Sequence, residues 1–198
     1  MVDSVALVAM GNSRNDYSML ASMLGGRHAV AQETWAVNAI AGWVQHDRAF
    51  VLDSPYISPS TKEEYKWLTK HPGPVFSCHG PTDEYPGLVR FPIEEVCQKI
   101  GHRYLKTGPA FAVAYAIWLG VKELKVYGCD YTYAENPQLT ETGRANVEAL
   151  LMQAMGLGME ISVAPSSSLF DTNVPNHKKL YSFSEWEAYC RSQNKGTT

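Results

Sequence analysis

No Cys-x-x-Cys pair, no run of basic residues and no long apolar segment occurs anywhere in this 198-residue chain. Each absence narrows the options. The four cysteines, Cys78, Cys97, Cys129 and Cys190, are dispersed and lack any paired histidine spacing. That argues against a zinc site and for reduced thiols. A duplex-binding protein neutralises phosphates with clustered Lys and Arg, and here 17 basic residues are outnumbered by 20 acidic ones. Nucleic acid is therefore not the expected partner. No apolar run is long enough to span a bilayer, and Met1 to Met10 has neither the basic start nor the cleavage region of a signal peptide. The expectation is a cytoplasmic protein with no membrane partner; an oligomer is left open. Also missing are the dinucleotide fingerprint G-x-G-x-x-G, the P-loop G-K-[ST], a Ser-His-Asp elbow and a kinase signature.

What is present is an alternation of short apolar runs and helix-like segments. Ser4 to Met10, Trp35 to Ile40, Ala49 to Leu52, Val75 to Cys78, Leu88 to Phe91, Leu124 to Tyr127 and Glu160 to Val163 have the length and composition of strands. Helices are predicted over Tyr17 to Leu24, Thr61 to Leu68 (with Thr61 and Glu64 as a capping box), Pro92 to Ile100, Ala110 to Leu119, Thr142 to Met155, and Ser184 to Tyr189. Ala110 to Leu119 is apolar nearly all round, which predicts cover on more than one side. The pattern gives an α/β fold with a mostly parallel sheet and helices on both faces, as one domain over residues 1–190 and a frayed tail over 191–198.

Function in such a sheet is sought outside the carboxyl ends of the strands. The polar residues at those ends are Gly11 to Asp16, Asn38, Asp53, His79, Asp130 with Tyr131 and Tyr133, and Ser166 to Ser168. Each has an ordinary reading beside a functional one, because turns need Asp, Asn and Ser anyway. Gly11-Asn12-Ser13-Arg14 is either a phosphate-facing turn, with the Arg14 guanidinium suited to a phosphate, or a plain strand-to-helix loop. Asn38 caps the following helix or reads a base or ribose edge. Asp130 orients a ribose, holds a divalent ion, or caps a turn. Ser167 and its neighbours present N–H groups to a phosphate or form a polar turn. Tyr131 and Tyr133 bond a phosphate or wall the cleft. His79 and His177 are acid/base candidates or solvated surface groups.

Three blocks together resemble a known fold family. They are the strand ending in Gly11-Asn12, Thr107-Gly108 opening an apolar helix, and Leu119-Gly120-Val121-Lys122-Glu123-Leu124 running on to Gly128-Cys129-Asp130-Tyr131. This is similar to the fold shared by small bacterial sialyltransferases, motility accessory factors and archaeal hydroxymethylpterin pyrophosphokinases, with phage-type relatives. Ala164-Pro165 to Leu169-Phe170-Asp171 is like that family's last strand and Ser-rich turn. The resemblance implies a Rossmann-like sheet and a nucleotide-dependent transferase, foremost a glycosyltransferase-like enzyme using a nucleotide sugar as co-substrate with an unknown acceptor. Nucleotide contacts are then expected at Gly11, Asn12, Asn38, Thr107 and Gly108, and leaving-phosphate contacts at Tyr131 and Tyr133. His177 is the positional match to a catalytic histidine. The alternative is an ATP-dependent diphosphokinase with magnesium at Asp130; a noncatalytic nucleotide-binding protein is the third. One departure stands out: the family's first turn reads Gly-x-Gly-Pro-Ser, and Ser13 here replaces the second glycine.

Overall fold

A computed structural model describes residues 2–53, 65–132, 134–180 and 182–194. Seven strands form one sheet, all parallel: β1 Ser4–Val8, β2 Glu33–Val37, β3 Arg48–Phe50, β4 Val75–Ser77, β5 Leu88–Arg90, β6 Glu123–Tyr127 and β7 Glu160–Val163, in the order β5-β4-β3-β2-β1-β6-β7. Among the described residues the α-helices are α1 Arg14–Leu24, α2 Ile93–Ile100, α3 Gly108–Leu119, α4 Pro137–Gly156 and α5 Phe183–Asn194. This is a Rossmann-like α/β fold. The chain lays β1 to β5 outward in one direction, then returns to the other side of β1 for β6 and β7, so the strand order reverses between β1 and β6.

Side chains alternate across the sheet, as period two requires. Val5 and Leu7 face a core built from Trp35, Val37, Leu124 and Val126 with residues of α2, α3 and α4. Ala6 and Val8 face the other way, toward Tyr17 of α1, Ile40, Leu68 and Tyr85. Both sides are thus covered and the central strands are apolar throughout, which fits an all-parallel sheet. Helix α3 packs on β2 and β3 and between α2 and α4, which explains its apolar circumference. Gly120, at φ 73°, ends it by donating to Ala116 and Ile117 carbonyls, an αL stop.

Several expected boundaries shift. Helix α4 begins at Pro137 rather than Thr142, because Asn136 caps it by accepting from the Leu139 N–H at 3.0 Å. Helix α1 begins at Arg14. Strand β2 stops at Val37, and Asn38–Gly42 forms a 3₁₀ turn. Ser184 lies inside α5, and residues 191–194, expected to fray, belong to that helix. The capping box at Thr61 and Glu64 lies outside the described residues; a 3₁₀ turn, Lys66–Lys70, closes that segment.

Candidate functional site

The carboxyl ends of β1, β2, β3 and β6 open into a cavity of about 310 Å³. Its floor is Ala9 and Met10 after β1, Asn38 after β2, Leu52 and Asp53 after β3, and Gly128 to Tyr131 after β6. Its far wall is the start of α3, with Lys106, Thr107, Gly108 and Phe111. The site therefore lies where the strand order reverses, the place a doubly wound sheet offers a ligand.

The two sides of this reversal are stitched together. Gly11 N–H donates to the Gly128 carbonyl at 2.7 Å, and Ala9 N–H to Tyr127 at 2.9 Å. Ser13, with 0% exposure, is the knot: its hydroxyl donates to Asp130 Oδ1 and accepts the Gly128 N–H at 2.7 Å, while its own N–H donates to Asp130 Oδ2 at 2.7 Å. The serine that replaces a family glycine turns inward rather than toward a ligand. Its neighbours are engaged too. The Arg14 guanidinium folds back onto the Met10 and Gly11 carbonyls. The N–H groups of Arg14, Asn15 and Asp16 bond to Gly11, Asn12 and Ser13 carbonyls at 3.1 Å each. Helix α1 consequently keeps its N-terminal donors for its own turn and for Asp130.

This rearranges the expected site. Asp130 is 4% exposed and both carboxylate oxygens hold Ser13, so it is not a carboxylate facing a metal; no cluster of three or more His, Cys, Asp and Glu suited to a metal ion occurs among the described residues. Ser167, 1% exposed, accepts the Leu169 N–H at 3.2 Å with its hydroxyl. The Ser166 N–H and hydroxyl both go to Asp16 Oδ2, at 3.1 and 2.8 Å, and Ser168 donates to the Asp130 carbonyl. The serine turn is a brace from β7 to α1 and β6, and its three hydroxyls are engaged within the protein. Gly11, Asn12, Ser13, Arg14 and Ser167 do not line the cavity; Asn38, Thr107, Gly108, Asp130 and Tyr131 do. Tyr133 and the side chain of His177 lie outside the described atoms; the His177 backbone sits in a 3₁₀ turn, Asn176–Lys178.

Two features of the cavity wall carry chemical meaning. Thr107 sits at the N-cap of α3, yet its hydroxyl does not cap the helix; it meets the Tyr131 hydroxyl at 2.8 Å. Pro109 has no N–H, and the Gly108 and Ala110 N–H groups have no acceptor among the described residues. An open helix start of this kind favours an anion. Beside it stands Asn38, in the left-handed region at φ 59°, with Oδ1 buried and without a partner. A buried amide oxygen left unpaired costs about 1–3 kcal/mol, and Asn38 caps nothing here. Close approach makes the arrangement possible. A methyl group at Gly108 would lie 2.7 Å from Val37 Cγ1 and 3.1 Å from Asn38 Oδ1, and one at Gly143 would strike the Tyr131 ring.

Cys129 also lines the cavity, but burial drives its thiol far above the usual range, with the Asp130 charge adding to the shift. It is a packed thiol and not a thiolate nucleophile. Residues absent from the expected site are Lys106, Leu52, Phe111 and Leu139, with Asp53 seen only as a strand-end carboxylate. Lys106 had a visible signal, a cation directly before Thr107-Gly108. Leu139 had none, since the early start of α4 hid it.

The fold and cavity define a class, a Rossmann-like all-parallel α/β protein with a cleft at the strand-order reversal. The chain matches no family model, no curated protein and no solved structure.

Proposed function

We propose that this cavity holds a nucleotide and that the protein is a nucleotide-dependent transferase, acting on a nucleotide sugar. The observation that carries the reading is the open helix start at Thr107-Gly108 with the unpartnered Asn38 Oδ1 beside it in one cavity. A phosphate belongs at the N–H groups of Gly108 and Ala110, with Lys106 as its counter-charge. The nucleoside lies toward β2 and β3, where Asn38 Oδ1 accepts a base N–H, Asp53 accepts from sugar hydroxyls, and Leu52 and Phe111 give apolar cover. A volume of about 310 Å³ suits one nucleotide and is at the small end of ligand cavities.

In this reading the Tyr131 hydroxyl, steered by Thr107, sits beside the phosphate and stabilises its charge as the sugar leaves. The acceptor hydroxyl forms the new C–O bond to the anomeric carbon, the bond to phosphate breaks, and the acceptor's proton passes to solvent or to the leaving phosphate. The magnesium-assisted diphosphokinase alternative needs Asp130 free, and Ser13 occupies it, so those residues do not fit the ion.

A thermal-shift and calorimetry screen of nucleotides and nucleotide sugars, with magnesium or with EDTA, tests this. At least one nucleotide should raise Tm equally in EDTA, and product analysis should show the sugar transferred or hydrolysed. Stabilisation only with magnesium, or by no nucleotide at all, counts against the proposal. Binding with the ligand returned unchanged supports a sequestering protein instead.

A further inference from the structure

Behind the Asn38–Gly42 turn, on the α1 side of the sheet, a second cleft is lined by Arg27, Gly42, Trp43, His46 and His71. The two imidazoles are parallel within 4° and their Nε2 atoms are 3.0 Å apart. Their protons are fixed by what they touch. His46 Nδ1 lies 2.7 Å from the Val44 carbonyl, which only accepts, so that nitrogen carries a proton. His71 Nδ1 accepts the Gly73 N–H at 3.0 Å, so it is bare and the ring's proton is on Nε2. The result is a relay: Gly73 N–H to His71, His71 Nε2–H to His46, His46 Nδ1–H to Val44. An added proton has two places to go, His46 Nε2 or His71 Nδ1, and each faces an N–H already pointing at it. The same assignment argues against a metal between the rings, because His71 holds its proton on the nitrogen a metal needs.

The relay fastens a strap. Residues 65–73 run along this side with Tyr65 and Leu68 buried, and the Trp67 indole packs edge-on to His71 at 5.4 Å. A methyl at Gly42 would lie 2.9 Å from Trp67 Cδ1, so the indole rests on the turn that carries Asn38. At the strap's other end the Tyr65 hydroxyl reaches Asp53 Oδ2 at 3.5 Å. Two polar residues of the cavity, Asn38 and Asp53, are thus backed by this one segment.

We propose that the His46–His71 pair is a proton-operated latch: neutral, it holds the strap against the Asn38–Gly42 turn, and uptake of a proton releases the strap and the Asn38–Asp53 side of the cavity. Its consequence for binding rests on the nucleotide reading above; the latch itself does not. Among the described residues, the charged groups beside the pair are Arg27, ion-paired to Asp47, with Lys66 and Lys70 on the same strap as His71. The one carboxylate of that set, Asp47, is also engaged by the Thr34 N–H, so an imidazolium gains no counter-charge from it. Burial, with the neighbouring His46, holds His71 below its ordinary value. The sign follows: the latch contributes fully above the unfolded histidine value of about 6.5 and is lost as pH falls through the lower folded value.

Imidazole ¹⁵N NMR on the ligand-free full chain, from about pH 8 to about pH 5, tests the latch. His46 should show the Nδ1–H form and His71 the Nε2–H form. His71 should then titrate below its ordinary value, with Gly73 amide exchange, corrected for its intrinsic pH dependence, rising about tenfold or more at the same midpoint. His71 titrating at its ordinary value, or no change at Gly73, overturns the proposal. His46→Gln keeps an acceptor for His71 while removing the neighbouring imidazole that helps hold it low, so the opening should move to higher pH; an unchanged midpoint also overturns it. Nucleotide affinity should fall roughly fivefold or more across the wild-type transition, the low end of ordinary coupling. Opening without that fall refutes the link to the cavity. Opening in a protein that binds no nucleotide at any pH refutes the nucleotide reading and supports the latch alone.

Discussion

Helices α1 and α3 both bring their N-termini to the same rim of the sheet, α1 after Gly11-Asn12-Ser13 and α3 after Thr107-Gly108-Pro109. Either start favours a negative charge. At α1 the protein supplies that charge itself: Asp130 accepts from the Ser13 N–H and hydroxyl, and the next three N–H groups close onto the turn. At α3 the cap hydroxyl is turned aside to Tyr131 and the first turn opens into the cavity. Two sequences that look alike as glycine-bearing helix starts thus have opposite roles. One is a clasp that joins β1 to β6, and the other is the open wall of a binding site. What separates them is whether an internal carboxylate reaches the N–H groups first.

The largest effect is expected from breaking the clasp. Asp130→Ala leaves the Ser13 N–H and hydroxyl without their acceptor in a site only 4% exposed at Asp130. Stranding buried donors of a charge-assisted pair costs about 3 kcal/mol, so the urea midpoint should drop markedly. Asp130→Asn retains one acceptor oxygen and should cost roughly half as much. A loss below about 0.5 kcal/mol, the size of an ordinary surface substitution, would show that the clasp is not holding β1 to β6.

Next is the wall. Gly143 in α4 lies against the Tyr131 ring and 3.2 Å separates a methyl built there from Thr107 Cγ2. Gly143→Ala should cost about 1–3 kcal/mol by overpacking and should weaken nucleotide binding, because displacing the ring breaks the Tyr131–Thr107 bond. Calorimetry on the folded variant separates the two losses. Full affinity in a destabilised variant would free Tyr131 and Thr107 from any part in the site.

The same contrast explains how much was legible in the sequence. The strands and helices were, since each is a short apolar run or a periodic segment between Gly, Pro and Asn stops, and alternation implies a parallel sheet. The rim was legible as well: Asn38, Thr107, Gly108, Asp130 and Tyr131 do line the cavity. The split between clasp and wall was not. Ser13 and Asp130 are 117 positions apart, and nothing local announces that a serine will face a carboxylate across the sheet. Lys106 was legible as a cation directly before the helix start, but only once Thr107-Gly108 is seen to open into the cavity does its position gain meaning. Helix α4 was placed late because Asn136 and Pro137 look like loop residues until the cap bond to Leu139 is seen.

A smaller effect, of opposite sign, is expected at Asn38. It is held at φ 59° with its amide oxygen buried and unpaired. Asn38→Gly relieves the left-handed backbone and removes the unpaired oxygen, and it adds some chain entropy to the unfolded state; the net expectation is a gain of about 1 kcal/mol. Nucleotide affinity should fall together with that gain. A residue that costs stability and supports binding is what a functional site should contain. Lower stability in the glycine variant would mean that Asn38 has a structural partner.

The smallest effects set the two helix starts side by side. Asn12 is exposed in the α1 turn, where the N–H groups of Gly11, Ser13, Arg14, Asn15 and Asp16 are engaged. Asn12→Ala should change stability by no more than about 0.5 kcal/mol, the range for a surface site, and should leave nucleotide affinity where it was. Lys106 is equally exposed but lines the cavity at α3. Lys106→Gln should match Asn12→Ala in stability and weaken nucleotide binding about tenfold, the scale of one charge-assisted hydrogen bond. That loss should shrink as salt is raised, because an exposed cation is screened. Measured together by calorimetry at two ionic strengths, the pair decides between the helix starts. If Asn12→Ala weakens binding and Lys106→Gln does not, the phosphate lies at α1 after all, and Asp130 has to give way to it.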